Sequence, residues 1–170
     1  PGSHLTRPID ETFARAIERG QKAKQRLVSA DLPSVASDPE FAREAALVRE
    51  VLEAFPEYDP ARIRLAEILA RRANVALRTR QWGKARQSAD EALALEPDQP
   101  VALYVRGVVA MGDFRTAEAI EAIERAIVLQ PRRVASHRLL AEAYARVGRT
   151  EDARRARAMA AEIEASAVGR

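Results

Sequence analysis

The chain has no cysteine. That removes disulfides, thiolate nucleophiles and zinc–thiolate sites together, and it suits cytoplasm and periplasm alike. Aromatics make up only 5% of the 170 residues, so Ala and Leu, both strong helix formers, carry the apolar content. No run approaches the 18 or so apolar residues a membrane span needs. No segment alternates with period two for long enough to suggest a strand. There is no Gly-rich phosphate loop and no Gly-x-Ser-x-Gly elbow, and nothing calls for a cofactor. Histidine is nearly absent: outside the leading Pro1-Gly2-Ser3-His4, which reads as a cloning scar, only His137 remains. One imidazole with no converging Cys, His or carboxylates makes no metal site. A packing role for His137 outweighs a catalytic one, and the chain is expected not to be an enzyme.

What is present is charge and repetition. Charged residues are 31% of the chain and the formal net charge is +3. Only Lys22, Lys24 and Lys84 are lysines, and arginine on this scale is what a GC-rich coding genome produces. Residues 31–67 hold nine acids against four arginines, whereas residues 131–170 hold nine arginines against five acids. One end is acidic and the other basic, a pattern able to steer a partner.

Two stretches end alike, 34 residues apart: Ala92-Leu93-Ala94-Leu95-Glu96-Pro97 and Ala126-Ile127-Val128-Leu129-Gln130-Pro131. A fixed period near 34 is the mark of a stacked helix–turn–helix array. Breakers divide the chain into about eight helices: 8–29 with Phe13, Ile17 and Leu27 on one stripe, then 39–55, 60–79, 82–95, 99–111, 115–129, 133–147 and 150–165. Pro56, Pro97 and Pro131 each close a helix. Gly83, Gly112 and Gly148 are read as the tight turns within pairs. The segment Val101 to Met111 is apolar almost all round, which places it in the middle of the stack.

In these positions the chain resembles the tetratricopeptide repeat family, as a bacterial member would. Counting back from Pro97 puts Ala73, Ala76, Ala85 and Ala92 at positions 8, 11, 20 and 27 of that family's pattern, with Trp82 at its aromatic position 17. Counting back from Pro131 gives Gly107, Ala110, Ala119 and Ala126; the last repeat gives Ala141, Tyr144, Ala153 and Ala160. From Pro56 to Pro97 the spacing is 34 plus seven, so the first helix of that pair is expected to be about two turns longer. The resemblance implies an all-α, right-handed α-solenoid of stacked antiparallel helix pairs. The expected division is a scar at 1–4, a less regular N-terminal pair at 5–59, three repeats with a C-terminal capping helix at 60–165, and a tail at 166–170.

The resemblance also implies that positions 2, 5, 9 and 12 of the first helices line a concave groove. Those are Glu67, Ala70, Asn74 and Leu77, then Val101, Tyr104, Val108 and Met111, then Ala135, Arg138, Glu142 and Ala145. The groove is expected to be apolar in its middle, with Asn74 at one end and an Arg138–Glu142 pair at the other. The chain's own first helix, near Phe13 and Ile17, is a second candidate to fill it. The carboxylate clamp of chaperone-binding members is missing, since Ala70, Val105, Ala135 and Leu139 stand at its other positions. Glu118, Glu121 and Glu124 read as a solvated helix face.

The function expected is that of a non-catalytic scaffold or adaptor binding a protein or peptide partner, with a bacterial envelope, secretion or polysaccharide-export assembly as the setting. Self-association into a homodimer through exposed apolar ends is a further expectation. The competing reading is a regulatory module that binds nucleic acid through Arg132, Arg133, Arg138, Arg146, Arg149, Arg154, Arg155 and Arg157; intervening acids and the lack of stacking aromatics count against it.

Overall fold

A computed structural model of the chain describes residues 18–19, 21–22 and 38–168. Its described elements are α1 (Asp38–Ala54), α2 (Asp59–Arg78), α3 (Trp82–Leu95), α4 (Pro100–Gly112), α5 (Thr116–Leu129), α6 (Val134–Arg146) and α7 (Thr150–Val168). All seven begin within one residue of the expected starts. Of the first expected helix, residues 18–19 and 21–22 are helical; Phe13, Ile17 and Leu27 lie outside the described residues.

The chain divides into two compact units, Pro1–Leu65 and Ala66–Arg170. In the first, α1 buries Phe41, Ala45, Val48 and Val51, and the opening turns of α2 bury Ala61 and Leu65. Arg64 of α2 pairs with Glu44 of α1 at 3.1 Å. The described Arg19 lines a small cleft with Glu50, Glu53 and Ala54 of α1.

The second unit is an all-α, right-handed stack of antiparallel helix pairs of the tetratricopeptide kind. Within it α4 packs on α5 and α6 on α7; α3 meets α4, α5 meets α6, and the first helices α4 and α6 touch directly. Helix α4 therefore has neighbours on several sides and buries Ala102, Leu103, Val105, Gly107, Val109, Ala110 and Met111, as its all-round apolar sequence predicts. The small-residue positions nest as expected. Ala73, Ala85, Ala92, Ala110 and Ala119 are fully buried, and Ala126, Ala141, Ala153 and Ala160 nearly so. Gly107 marks the tightest approach: a Cβ there would lie 2.5 Å from Ile123 Cγ1. Helix α2 has 20 residues against 13 in α4, which is the expected insertion of seven.

The turns within pairs repeat bond for bond. Gln81 N–H donates to Ala76 O at 2.8 Å, Arg115 N–H to Ala110 O at 2.9 Å and Arg149 N–H to Tyr144 O at 2.9 Å. One residue earlier, Arg80, Phe114 and Gly148 donate to Leu77, Met111 and Ala145 O at 3.1, 3.3 and 3.2 Å. These two bonds make a Schellman closure, which needs its penultimate residue in the left-handed region. That residue is Arg80 (φ 59°), Phe114 (φ 62°) and Gly148 (φ 76°). Of the three glycines expected to form turns, only Gly148 does so. Gly83 lies inside α3 and Gly112 ends α4. The hydrogen-bond register, set by where the first helix stops, selects the left-handed residue whatever its type.

Candidate functional site

The first helices of the second unit carry the residues expected to face a partner. Exposure along them is graded. In α2, Glu67 is exposed, Asn74 and Leu77 are half-buried, and Ala70 is fully buried. In α4, Val101, Tyr104 and Val108 are half-buried, which leaves part of each apolar side chain in reach of solvent. Met111 departs from the expectation. It is 4% exposed and joins the core with Ile123, Leu140 and Tyr144, because α6 closes over this end of α4. In α6, Ala135, Arg138, Glu142 and Ala145 are all exposed.

The expected Arg138–Glu142 pair does not form. Arg138 reaches Glu164 of α7 at 2.5 Å, and Glu142 pairs with Arg146 at 2.7 Å. Only the second pair follows helical geometry: Glu142 and Arg146 are one turn apart, a favourable order for an ion pair. Arg146 also donates to Met111 O at 2.8 Å, so it satisfies a terminal carbonyl of α4, where the helix dipole favours a cation.

Arg133 supplies a feature that the position pattern missed. It stands immediately before α6, and its guanidinium lies 4.2 Å from the centre of the Tyr104 ring. Burial pulls its pKa below the usual arginine value, opposed by the Tyr104 hydroxyl. An aromatic 29 residues earlier in the chain gives no sequence signal for such stacking.

Elsewhere in the unit, ion pairs link the helices and turns. Asp113, in the turn after α4, accepts from Arg86 of α3 and from Arg115, the latter at 2.8 Å; the Arg115 hydrogen bond holds its carboxyl below the ordinary range. Arg115 also bonds Glu118 at 2.6 Å. Arg125 of α5 donates to Pro97 O at 3.1 Å and Asp98 at 2.7 Å. Tyr144 donates its hydroxyl to Glu124, while Arg149 stacks 4.2 Å from its ring centre. Burial, then the Glu124 bond, pushes the Tyr144 pKa up to about 12, so it remains a donor across the physiological range. Glu118 and Glu124 thus join pairs and packing rather than a purely solvated face. His137 is buried, with Nε2 2.7 Å from Pro131 O, a structural place as expected from its position.

An open cleft of about 560 Å³ lies beside Trp82, Gly83, Arg86, Val109, Gly112 and Asp113. Trp82 is 51% exposed there. Among the described residues no three His, Asp or Glu converge as metal ligands, and no helix is long and apolar enough to cross a membrane.

No protein-family model matches the chain, and no curated protein matches it. Solved structures do. A crystal structure of MamA shares 16% identity over 93% of this chain and 81% of its own, with a TM-score of 0.51. A second MamA crystal structure shares 18% over 94% and 95%, with a TM-score of 0.51. A double mutant of MamA RS-1 shares 19% over 95% and 80%, with a TM-score of 0.50. At these identities the likeness is one of fold, the tetratricopeptide-like helical stack.

Proposed function

We propose that the chain is a non-catalytic scaffold or adaptor that holds a peptide or helix of a protein partner against the first helices of its second unit. The observation that carries this reading is the half-buried strip Val101, Tyr104 and Val108 on α4. A helix so apolar normally buries those side chains fully; here each keeps part of its surface in solvent, on a helix that α6 touches directly. Partly exposed aliphatic and tyrosine side chains are the composition of a recognition surface. The likeness to MamA supports a scaffold fold and is silent on the partner. An envelope, secretion or polysaccharide-export setting rests on fold analogy alone.

The nucleic-acid alternative draws less support. Arg138, Arg146, Arg149, Arg154 and Arg155 each meet a carboxylate within 4 Å, and Arg132 bonds Ser166. A phosphate backbone would have to displace those acids.

The test is photo-crosslinking in the native lysate, with a benzophenone amino acid at Val101 or Val108 and a control at Val128 of α5, which is 80% exposed. Adducts from the α4 positions and none from Val128 are expected. Adducts mainly from Val128, or a nucleic-acid adduct from either position, would remove the groove from consideration.

A further inference from the structure

From Arg106 to Arg157 every arginine is exposed except Arg133, which is half-buried. Most of the exposed ones hold a carboxylate: Arg115 with Glu118, Arg125 with Asp98, Arg138 with Glu164, Arg146 with Glu142 and Arg149 with Asp152. Arg133 is the reverse case. It is the arginine most withdrawn from water in this stretch, and among the described residues no carboxylate pairs with it. Its visible partner is the face of Tyr104. A cation taken partly out of water without a counter-charge is unfavourable, and stacking on a tyrosine offsets only part of that cost. The guanidinium carbon lies over the ring, 4.2 Å from its centre, and no described carboxylate uses the group's N–H fork, which can grip a carboxylate with two parallel bonds. On α4, Val101 and Val108 flank Tyr104 one turn to either side.

We propose that Arg133 is the specificity-determining anchor of the α4–α6 surface, and that it selects a partner segment carrying an internal Asp or Glu side chain beside an aliphatic or aromatic one. This rests on the protein-binding reading above. The carboxylate supplies the missing counter-charge, Tyr104 holds the guanidinium in place, and Val101 and Val108 receive the neighbouring apolar side chain. Of the cationic groups nearest in sequence, Arg138 is paired with Glu164 and Arg132 donates to Ser166.

The experiment pans a phage-displayed random dodecapeptide library, fused through the peptide C-terminus, on the immobilised full chain. Three proteins are compared: the unaltered chain, Arg133→Met and the double variant Val101→Gln/Val108→Gln. Met keeps an apolar stem on Tyr104, and circular dichroism with thermal melting checks that each variant folds. Peptides enriched in Asp or Glu next to an apolar residue are expected from the unaltered chain. One such peptide, synthesised with its acid changed to the amide, should bind about tenfold more weakly, as loss of a charge-assisted bond of about 1.4 kcal/mol implies. The same change should cost almost nothing against Arg133→Met. Peptides without acidic enrichment, lost on Val101→Gln/Val108→Gln but kept on Arg133→Met, would overturn the anchor and leave the groove reading standing. Peptides indifferent to all three proteins, or none at all, would overturn both. A dimer of the unaltered chain that Arg133→Met disperses in sedimentation would mean that a second copy occupies the surface, and would overturn the choice of a separate partner.

Discussion

Helices α5 and α7 hold the same place in consecutive pairs, 34 residues apart, yet only one of their faces agrees. Ala119, Ala122 and Ala126 of α5 correspond to Ala153, Ala156 and Ala160 of α7, and all six are buried. On the adjoining face the two diverge. Ile120, Ile123 and Ile127 of α5 correspond to Arg154, Arg157 and Ala161 of α7. Ile123 is fully buried and the other two isoleucines pack on the core, whereas the α7 residues are all exposed. A second helix thus has two tasks. Its alanine stripe lets it nest against its own partner. Its isoleucines serve both its own pair and the next: Ile123 meets Gly107 of its own pair and also joins a cluster with Leu140 and Tyr144 of the next, against which Ile120 and Ile127 pack. Where no described pair follows, arginine or alanine stands in their place. The face of α7 that corresponds to the isoleucines of α5 is exposed and carries arginine at two of its three positions.

The strongest way to break this comparison is to exchange the faces. Ile123→Arg places an unpaired charge in the core and should destabilise the chain by about 3–5 kcal/mol or leave it unfolded, as read from urea denaturation. Arg154→Ile with Arg157→Ile should change stability by less than about 1 kcal/mol, because both sites are exposed. Its effect should appear as concentration-dependent association in sedimentation. Equal destabilisation by the two exchanges would mean that the faces of α5 and α7 are not distinct.

The approach of α4 to α5 sharpens the same contrast. Gly107 faces Ile123, while the corresponding residues are Ala73 with Ala89 one repeat earlier and Ala141 with Arg157 one repeat later. Gly107→Ala should cost about 1–3 kcal/mol through overpacking, since its Cβ would stand 2.5 Å from Ile123 Cγ1. In an Ile123→Ala background that further cost should vanish, with a coupling above about 1 kcal/mol in a double-mutant cycle. Additive effects would place the strain elsewhere.

Much of this was legible without coordinates, because small residues at period 34 and prolines after second helices are local signals with one packing solution. The extra two turns of α2 followed from the spacing of Pro56 and Pro97. What escaped were relations set by side-chain reach across repeats. Arg138 chose Glu164 on α7 rather than its helix neighbour Glu142, Met111 turned inward under α6, and Arg133 found Tyr104. None of these leaves a trace in periodicity. The turns failed for another reason: a glycine two or three residues from the left-handed site looks, in sequence, like a glycine at it.

The three turns make that last point measurable. Gly148 accepts φ 76° freely, whereas Arg80 and Phe114 hold φ 59° and 62° with a side chain. A left-handed non-glycine residue costs about 1–2 kcal/mol, part of which glycine returns to the unfolded chain as entropy. Phe114→Gly, at a site 86% exposed, should therefore stabilise the protein by about 0.5–1 kcal/mol. Gly148→Ala should destabilise it by a similar amount. Opposite signs in thermal melts are the expected result. A loss of stability in Phe114→Gly would show that the exposed ring makes a contact of its own.

A single atom separates the third repeat from the second at one buried position. Ala102 and Ser136 are equivalent positions in α4 and α6, both fully buried. The Ser136 hydroxyl has no hydrogen-bond partner among the described residues, so its oxygen is withdrawn from water without compensation. An unsatisfied buried hydroxyl is costly, and its removal is neutral or favourable when the remaining shape still packs. Ser136→Ala makes the third repeat match the second and should raise stability by up to about 1 kcal/mol, with Ala102→Ser lowering it by about 1–3 kcal/mol. If Ser136→Ala instead destabilises the chain, the hydroxyl bonds a buried water, and this position of the third repeat is hydrated where that of the second is dry.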